Sequence, residues 1–230
     1  MRYQAVLFDM DGTVLDTLRD LHAAANRALA EFSLPPMSLD ETRRRVGNGS
    51  RRLIELSVPE GTAPARIDEI LAWYLPWYNA HANDTTAPYP GIPELLESFR
   101  AGGLAMAIVS NKPDRTVREL AEIHFPGLFS CAVGENEARG VRRKPAPDTL
   151  LAAARELGTP PGSCLYVGDS EVDILTAARA GMDCASVLWG FRSREELAAA
   201  GAKLLFHTPD ELKRFVAKNE IPKTNQTGCD

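Results

Sequence analysis

Short apolar runs recur along the chain, at "AVLF" (5–8), "LAMAIVS" (104–110), "SCLYVG" (163–168) and "CASVLWG" (184–190). Weaker ones stand at "SCAVG" (130–134) and "KLLFH" (203–207). The intervals between them read differently. "DRTVRELAEIH", "PDTLLAAARELG" and "VDILTAARAGM" space their apolar residues three and four apart, as one face of a helix requires. Strands apolar at every position, alternating with amphipathic helices, predict a parallel sheet covered on both faces. Gly158 and Gly181 close two of the helical runs, where a left-handed residue ends a helix.

One interval breaks the alternation. Roughly ninety residues separate the first strand from the second, far more than a strand-to-helix connection needs. Their pattern is helical. "LRDLHAAANRALAEF" places Leu18, Leu21, Ala25, Leu29 and Phe32 on one face. "SLDE", Ser38 to Glu41, predicts a capping box, and Ser50 is the predicted cap of "RRLIELS". "ARIDEILAWYLPWYNAH" continues the pattern, with Pro76 expected to kink it or mark a turn. The chain thus reads as α/β, a parallel-sheet core carrying an all-helical insert on two linkers. A lid over the end of the first strand is organised this way. The polar, aperiodic tail "NEIPKTNQTGCD" predicts disorder.

Composition narrows the function. A 44% hydrophobic and 25% charged chain of 230 residues is an ordinary globular protein with room for a large core. A net charge of −5 argues against nucleic acid as the main partner. The N-terminus lacks the features of a signal peptide, and no run of about 18 apolar residues predicts a membrane span. The expected location is cytoplasmic. The four cysteines, Cys131, Cys164, Cys184 and Cys229, form no C-x-x-C pair and read as reduced thiols rather than a zinc site.

In parallel α/β sheets ligands sit outside the carboxyl ends of the strands, so the polar residues there outline a site. The first strand delivers Asp9, Asp11 and Thr13; the second delivers Ser110, Asn111 and Lys112. "YVGDSEVD" supplies Asp169 and, one helical turn later, Asp173, and "RRKPAPD" supplies Lys144. This set suits phosphoryl transfer. Asp9 and Asp169 are hard oxygen ligands for Mg²⁺, which also lets neighbouring carboxylates tolerate each other. Lys144 adds fixed positive charge, while Ser110 and backbone N–H groups near Asp11, Gly12 and Thr13 can cradle phosphate. One aspartate can then serve as nucleophile and another as general acid and base. A calcium loop would want glycine at its sixth position, where Val14 stands.

"DMDGTVLDT", "SNK", "KPAP" and "GDSEVD" resemble, in order and over nearly the whole chain, the four motifs of the haloacid dehalogenase superfamily. The resemblance implies a Rossmann-like catalytic core at 1–15 and 88–218, a helical cap at 16–87, and a tail at 219–230. It implies Asp9 as nucleophile, Asp11 as general acid and base, and Mg²⁺ held by the Asp9 carboxylate, the Asp11 carbonyl and Asp169. Asp173 would hold metal-bound water or Lys144. Ser110 and Lys144 would bind the transferring phosphoryl group, with Gly12, Thr13 and Asn111 beside them. Asp11 argues against a dehalogenase, which needs no acid to protonate an alkoxide. A cap has no use in a receiver domain that turns nothing over, and no expected catalytic residue is missing, as it would be in a mere binder.

The cap sequence, notably "VGNG" at 46–49, looks like that of phosphoglycolate phosphatases. The expected substrate is therefore a small phosphate monoester such as phosphoglycolate, acted on by a monomer or homodimer. A β-phosphoglucomutase-like mutase, or a phosphatase for another sugar phosphate, nucleotide or pyrophosphate, is the alternative. Specificity is expected in the cap loop, at Arg45, Gly47, Asn48 and Gly49, because Arg45 and the loop amides can meet a second anionic group. Failing that loop, Lys112 and the "AWYLPWY" helix are the places to look.

Overall fold

A computed structural model describes residues 3–135 and 140–218. The predicted disordered tail, with Cys229, lies outside them. The chain opens with β1 (Ala5–Phe8). A tight turn leads to β2 (Leu15–Asp16), four helices, α1 (Leu18–Glu31), α2 (Leu39–Arg45), α3 (Gly49–Ser57) and α4 (Pro64–His81), and then β3 (Ala87–Pro88). The alternating part follows: α5 (Ile92–Ala101), β4 (Ala105–Pro113), α6 (Asp114–His124), β5 (Cys131–Glu135) and α7 (Asp148–Glu156). It continues through β6 (Cys164–Gly168), α8 (Glu171–Ala180), β7 (Asp183–Val187), α9 (Arg194–Ala199), β8 (Leu204–Phe206) and α10 (Pro209–Lys218).

Six strands form one parallel sheet in the order β5-β4-β1-β6-β7-β8. Each corresponds to one of the six apolar runs. β1 lies inside the sheet between β4 and β6, and all four of its residues are buried. Val6 and Phe8 face the layer of α5, α6 and α10, while Ala5 and Leu7 face α7 and α8. Two covered faces are why the strand shows no polar alternation. Gly158 and Gly181 take the left-handed conformation expected of them, at φ +64° and +71°. Among the described residues no helix is long and apolar enough to cross a membrane.

The four helices of the insert share a second apolar cluster, built on Leu21, Leu29, Leu53, Ile54, Ile70 and Tyr74. Ser38 and Glu41 form the predicted capping box at the start of α2. One other expectation fails, and another is narrowed. Ser50 lies inside the first turn of α3; Asn48 is the N-cap residue and gives no side-chain bond, because the chain enters through Gly47 and Gly49 at φ +120° and +82°. Pro76 sits within α4 without ending it. Tyr74 and Tyr78, buried on either side of Pro76, stack at 5.4 Å between ring centroids and pack into the insert's apolar cluster.

The linkers are not plain connections. Leu15 and Asp16 pair antiparallel with Pro88 and Ala87. Beside this ribbon, buried Asp20 accepts bonds from the backbone N–H groups of Thr85 and Thr86 (2.9–3.0 Å) and from both threonine hydroxyls. The insert also docks on the core at a distance in sequence. The Phe191 ring joins the insert's apolar cluster. Arg192, 8% exposed, donates to the main-chain oxygens of Arg43 and Val46, each at 2.9 Å, and pairs with Glu171 at 3.0 Å. Those oxygens lie at the C-terminal end of α2, where a cation is favoured.

Asp20 links the stem to pH. Burial raises its pKa, but the bonds from Thr85 and Thr86 outweigh burial and hold it below the usual value. The stabilisation is therefore complete above the unfolded pKa of about 3.9 and disappears as pH falls through the lower folded value. Asp20→Ala, which leaves buried donors without an acceptor, should cost about 1–3 kcal/mol. Urea unfolding of both proteins across pH should show that gap in full above about pH 4, narrowing below it. A gap independent of pH would contradict the assignment.

Candidate active site

The site lies at the carboxyl ends of β1, β4 and β6. Asp9 follows β1 and still pairs with the sheet through its N–H to the Val167 oxygen, at 2.8 Å. Its Oδ1 accepts from the Met10 N–H (2.7 Å) and from Lys144 Nζ (2.9 Å). Asp169 follows β6; its Oδ2 accepts from the Phe191 N–H at 2.7 Å, and Thr13 Oγ1 lies 3.4 Å from its Oδ1. Gly12 and Gly190 allow this approach. A Cβ on Gly12, at φ +78°, would fall 2.3 Å from Asp169 Oδ2, and one on Gly190 would fall 2.3 Å from the Gly12 oxygen.

Asp173 is fully buried in the first turn of α8. Its Oδ1 accepts from Lys144 Nζ and the Tyr166 hydroxyl, both at 2.8 Å; its Oδ2 accepts from the N–H and hydroxyl of Ser170. Lys144, 2% exposed, thus bridges Asp9 and Asp173. Asn111 fixes its backbone, accepting from the Lys144 N–H at 2.7 Å and donating to the Lys144 oxygen at 3.0 Å.

The charges follow from this geometry. Burial works against the Lys144 ammonium, but Asp173 and Asp9 outweigh it and hold its pKa above the ordinary value. Burial likewise opposes ionisation of Asp173, yet Lys144 and the bonds from Ser170 and Tyr166 keep that carboxylate below its usual range. Asp9 goes the other way: burial, abetted by Asp173 and Asp169 and opposed by Lys144, raises it well above 3.8. Burial and then repulsion from Asp173 push Asp169 up to about 7.

This donor set fits a divalent cation. Carboxylate oxygens of Asp9, Asp169 and Asp173 lie within 4.8 Å of one another. Three carboxylates around one ammonium carry two unbalanced negative charges when ionised, and a divalent ion matches them. Both oxygens of Asp173 are already engaged, which leaves Asp9 and Asp169 as the available carboxylates.

The other predicted residues divide. Asp11 joins the site; its Oδ1 accepts from Thr17 Oγ1 at 2.6 Å and pairs with Lys112 Nζ at 3.0 Å. Ser110, Asn111 and Lys112 are buried and line the same cavity as Asp9, Asp11 and Lys144. Gly12 and Thr13 do not offer phosphate-binding amides. Their N–H groups are spent inside the turn, on the oxygens of Leu15 and Met10, so these two residues position Asp169 instead. The insert roofs the cavity with Val46, Gly47, Gly49, Ser50, Tyr74 and Tyr78, but Arg45 and Asn48 are not among its lining. Arg45 pairs with Glu41 on its own helix, at 3.3 Å.

Sequence reasoning passed over Tyr166, Thr17 and Arg192. Only Tyr166 left a signal: a hydroxyl inside an otherwise apolar, buried strand needs a partner, and that partner is Asp173. Arg192 stands in "GFRSREEL", where it reads as an ordinary surface charge.

Known proteins resemble this chain in sequence and in fold. A curated protein named phosphoglycolate phosphatase from Pseudomonas putida is 32% identical over 98% of this chain and 83% of its own length. Another of that name from Xanthomonas campestris pv. campestris is 37% identical over 84% of this chain and 86% of its own. A crystal structure from Lactobacillus delbrueckii subsp. bulgaricus superimposes with a TM-score of 0.89 at 35% identity, covering 94% of this chain and 99% of that one. CbbY from Rhodobacter sphaeroides, solved in complex with phosphate, gives 0.76 at 26%, covering 91% and 96%. The family model described as haloacid dehalogenase-like hydrolase matches residues 6–187, from within β1 to the end of β7. That span holds Asp9, Asp11, Ser110, Lys144, Asp169 and Asp173, and the chain belongs to the haloacid dehalogenase-like hydrolases.

Proposed function

We propose that this protein is a Mg²⁺-dependent phosphatase that hydrolyses a small phosphate monoester, with phosphoglycolate the leading candidate, through an aspartyl-phosphate on Asp9. The observation that carries this is Asp9 itself: buried, hydrogen-bonded through Oδ1 alone among the described residues, and facing a cavity closed by the insert. The names of the Pseudomonas and Xanthomonas relatives support the substrate.

Asp9 attacks phosphorus, the bond from phosphorus to the ester oxygen breaks, and Asp11 gives that oxygen a proton. Asp11 then takes a proton from water as the water attacks the phosphoaspartate, and inorganic phosphate leaves with Asp9 restored. Lys144 and the Ser110 hydroxyl hold the phosphoryl oxygens as charge shifts onto them. The bonds from Asn111 keep Lys144 in place, and Thr17 and Lys112 hold Asp11 beside the cavity. Mg²⁺, held by the Asp9 and Asp169 carboxylates and the Asp11 carbonyl, would neutralise the approach of carboxylate and phosphate dianion.

Asp9→Asn replaces the nucleophile with an amide and should lower kcat by at least about 10³-fold in a phosphate-release assay, with the fold retained. A rate near wild type would remove Asp9 from the chemistry. Hydrolysis should also stop in chelator, return with Mg²⁺, and fail with Ca²⁺, which accepts more ligands at longer distances. Equal rates with either ion, or full activity in chelator, would contradict the metal assignment.

A further inference from the structure

The cavity carries further polar groups to which the proposed chemistry gives no contact with substrate. Tyr74 in α4 is wholly buried, lines the cavity, and its hydroxyl has no hydrogen-bond partner among the described residues. Burying a hydroxyl unpaired costs free energy, so such a group points to a partner that arrives with the ligand. Next to it is Lys112, 4% exposed. Its ammonium pairs with Asp11 and donates to the hydroxyl of Tyr78, whose ring stacks on that of Tyr74. Three N–H bonds on that nitrogen and two such partners leave a third donor beside the cavity. The N-terminal turn of α3 completes the wall: Gly49 and Ser50 line it, and Asn48 provides no side-chain cap for the first amides of this nine-residue helix. A hydroxyl, an ammonium and a helix N-terminus all favour a negatively charged acceptor.

We propose that Lys112, Tyr74 and the start of α3 form a subsite for a second anionic group, a carboxylate carried by the alcohol half of the phosphate ester. This rests on the phosphatase reading above and adds what selects the substrate. Asp11, the proposed donor to the ester oxygen, is 3.0 Å from Lys112 Nζ. A carboxylate one carbon beyond the ester oxygen therefore reaches Lys112 while its phosphoryl group is at Asp9. Selection then comes from β4, α4 and the start of α3 rather than from Arg45 or Asn48, which lie off the cavity lining.

The test compares 2-phosphoglycolate with ethyl phosphate, which has a methyl group in place of the carboxylate and is otherwise alike. The wild type should strongly favour the first in kcat/KM. Tyr74→Phe should reduce the ratio of the two kcat/KM values about ten-fold, and Lys112→Met about ten- to a hundred-fold, as expected for lost hydrogen bonds to a charged group. Lys112→Met also disturbs Asp11 and slows both esters, so the ratio isolates the subsite. Tyr74→Phe should melt at or above the wild-type temperature, because it removes an unpaired buried hydroxyl, and it carries the test if the lysine variant does not fold. A wild-type ratio near one, or a ratio unmoved by both substitutions, overturns the subsite while leaving the phosphatase intact. If the wild type hydrolyses neither ester with Mg²⁺, the phosphatase reading falls and takes the subsite with it.

Discussion

One buried ammonium against three buried carboxylates is the constraint on which the rest of this molecule turns. Lys144 cannot leave without stranding Asp9 and Asp173, and removing one partner of a buried ion pair is among the costliest changes a fold can suffer. Much of the neighbourhood serves that arrangement. Asn111 clamps the backbone on both sides of the lysine side chain. Tyr166 and Ser170 complete Asp173, so that its charge is kept as a fixed counterpart to Lys144. Burial and the neighbouring carboxylates push the carboxyls of Asp9 and Asp169 upward.

The insert stands in the same relation to the sheet. Among the attachments that hold its roof over Asp9, three differ in kind: the ribbon stitched at Asp20, the guanidinium of Arg192 on the end of α2, and Asn111 donating to the Gly47 oxygen at 3.1 Å. Two of these three reach the loop between α2 and α3. Asn111 is common to the charged cluster and the roof, and Phe191 links them again, its N–H on Asp169 and its ring in the insert's core. Closing the roof and ordering the charged cluster thus draw on the same few residues.

Much of this was legible in the sequence. The strands were visible because a strand buried on both faces has to be apolar throughout, and the catalytic candidates because a parallel sheet gathers its polar residues at one end. At Pro76 the sequence allowed a turn that α4 does not make, because propensity is local, whereas Tyr74 and Tyr78 on either side of it pack against other helices of the insert. Gly12 and Thr13 misled because the sequence does not reveal that a turn has already used its own amides. The docking by Arg192 left no trace. It joins residues 149 and 146 positions apart, acting on backbone oxygens that every residue type possesses. The pattern could name Lys112 and the "AWYLPWY" helix as places to look, but only the fold puts the Tyr74 hydroxyl and the Lys112 ammonium on one cavity.

Everything proposed for the site converges on a covalent bond between Asp9 and phosphorus. The most direct measurement is to stop the enzyme with acid during steady turnover of 2-phosphoglycolate, digest it, and weigh the peptide that contains Asp9. A phosphoryl group should be found on Asp9 and should disappear once substrate is exhausted. Sustained phosphate release with that peptide never modified, or with the phosphoryl group on a different residue, would contradict the assignment of Asp9 as the nucleophile.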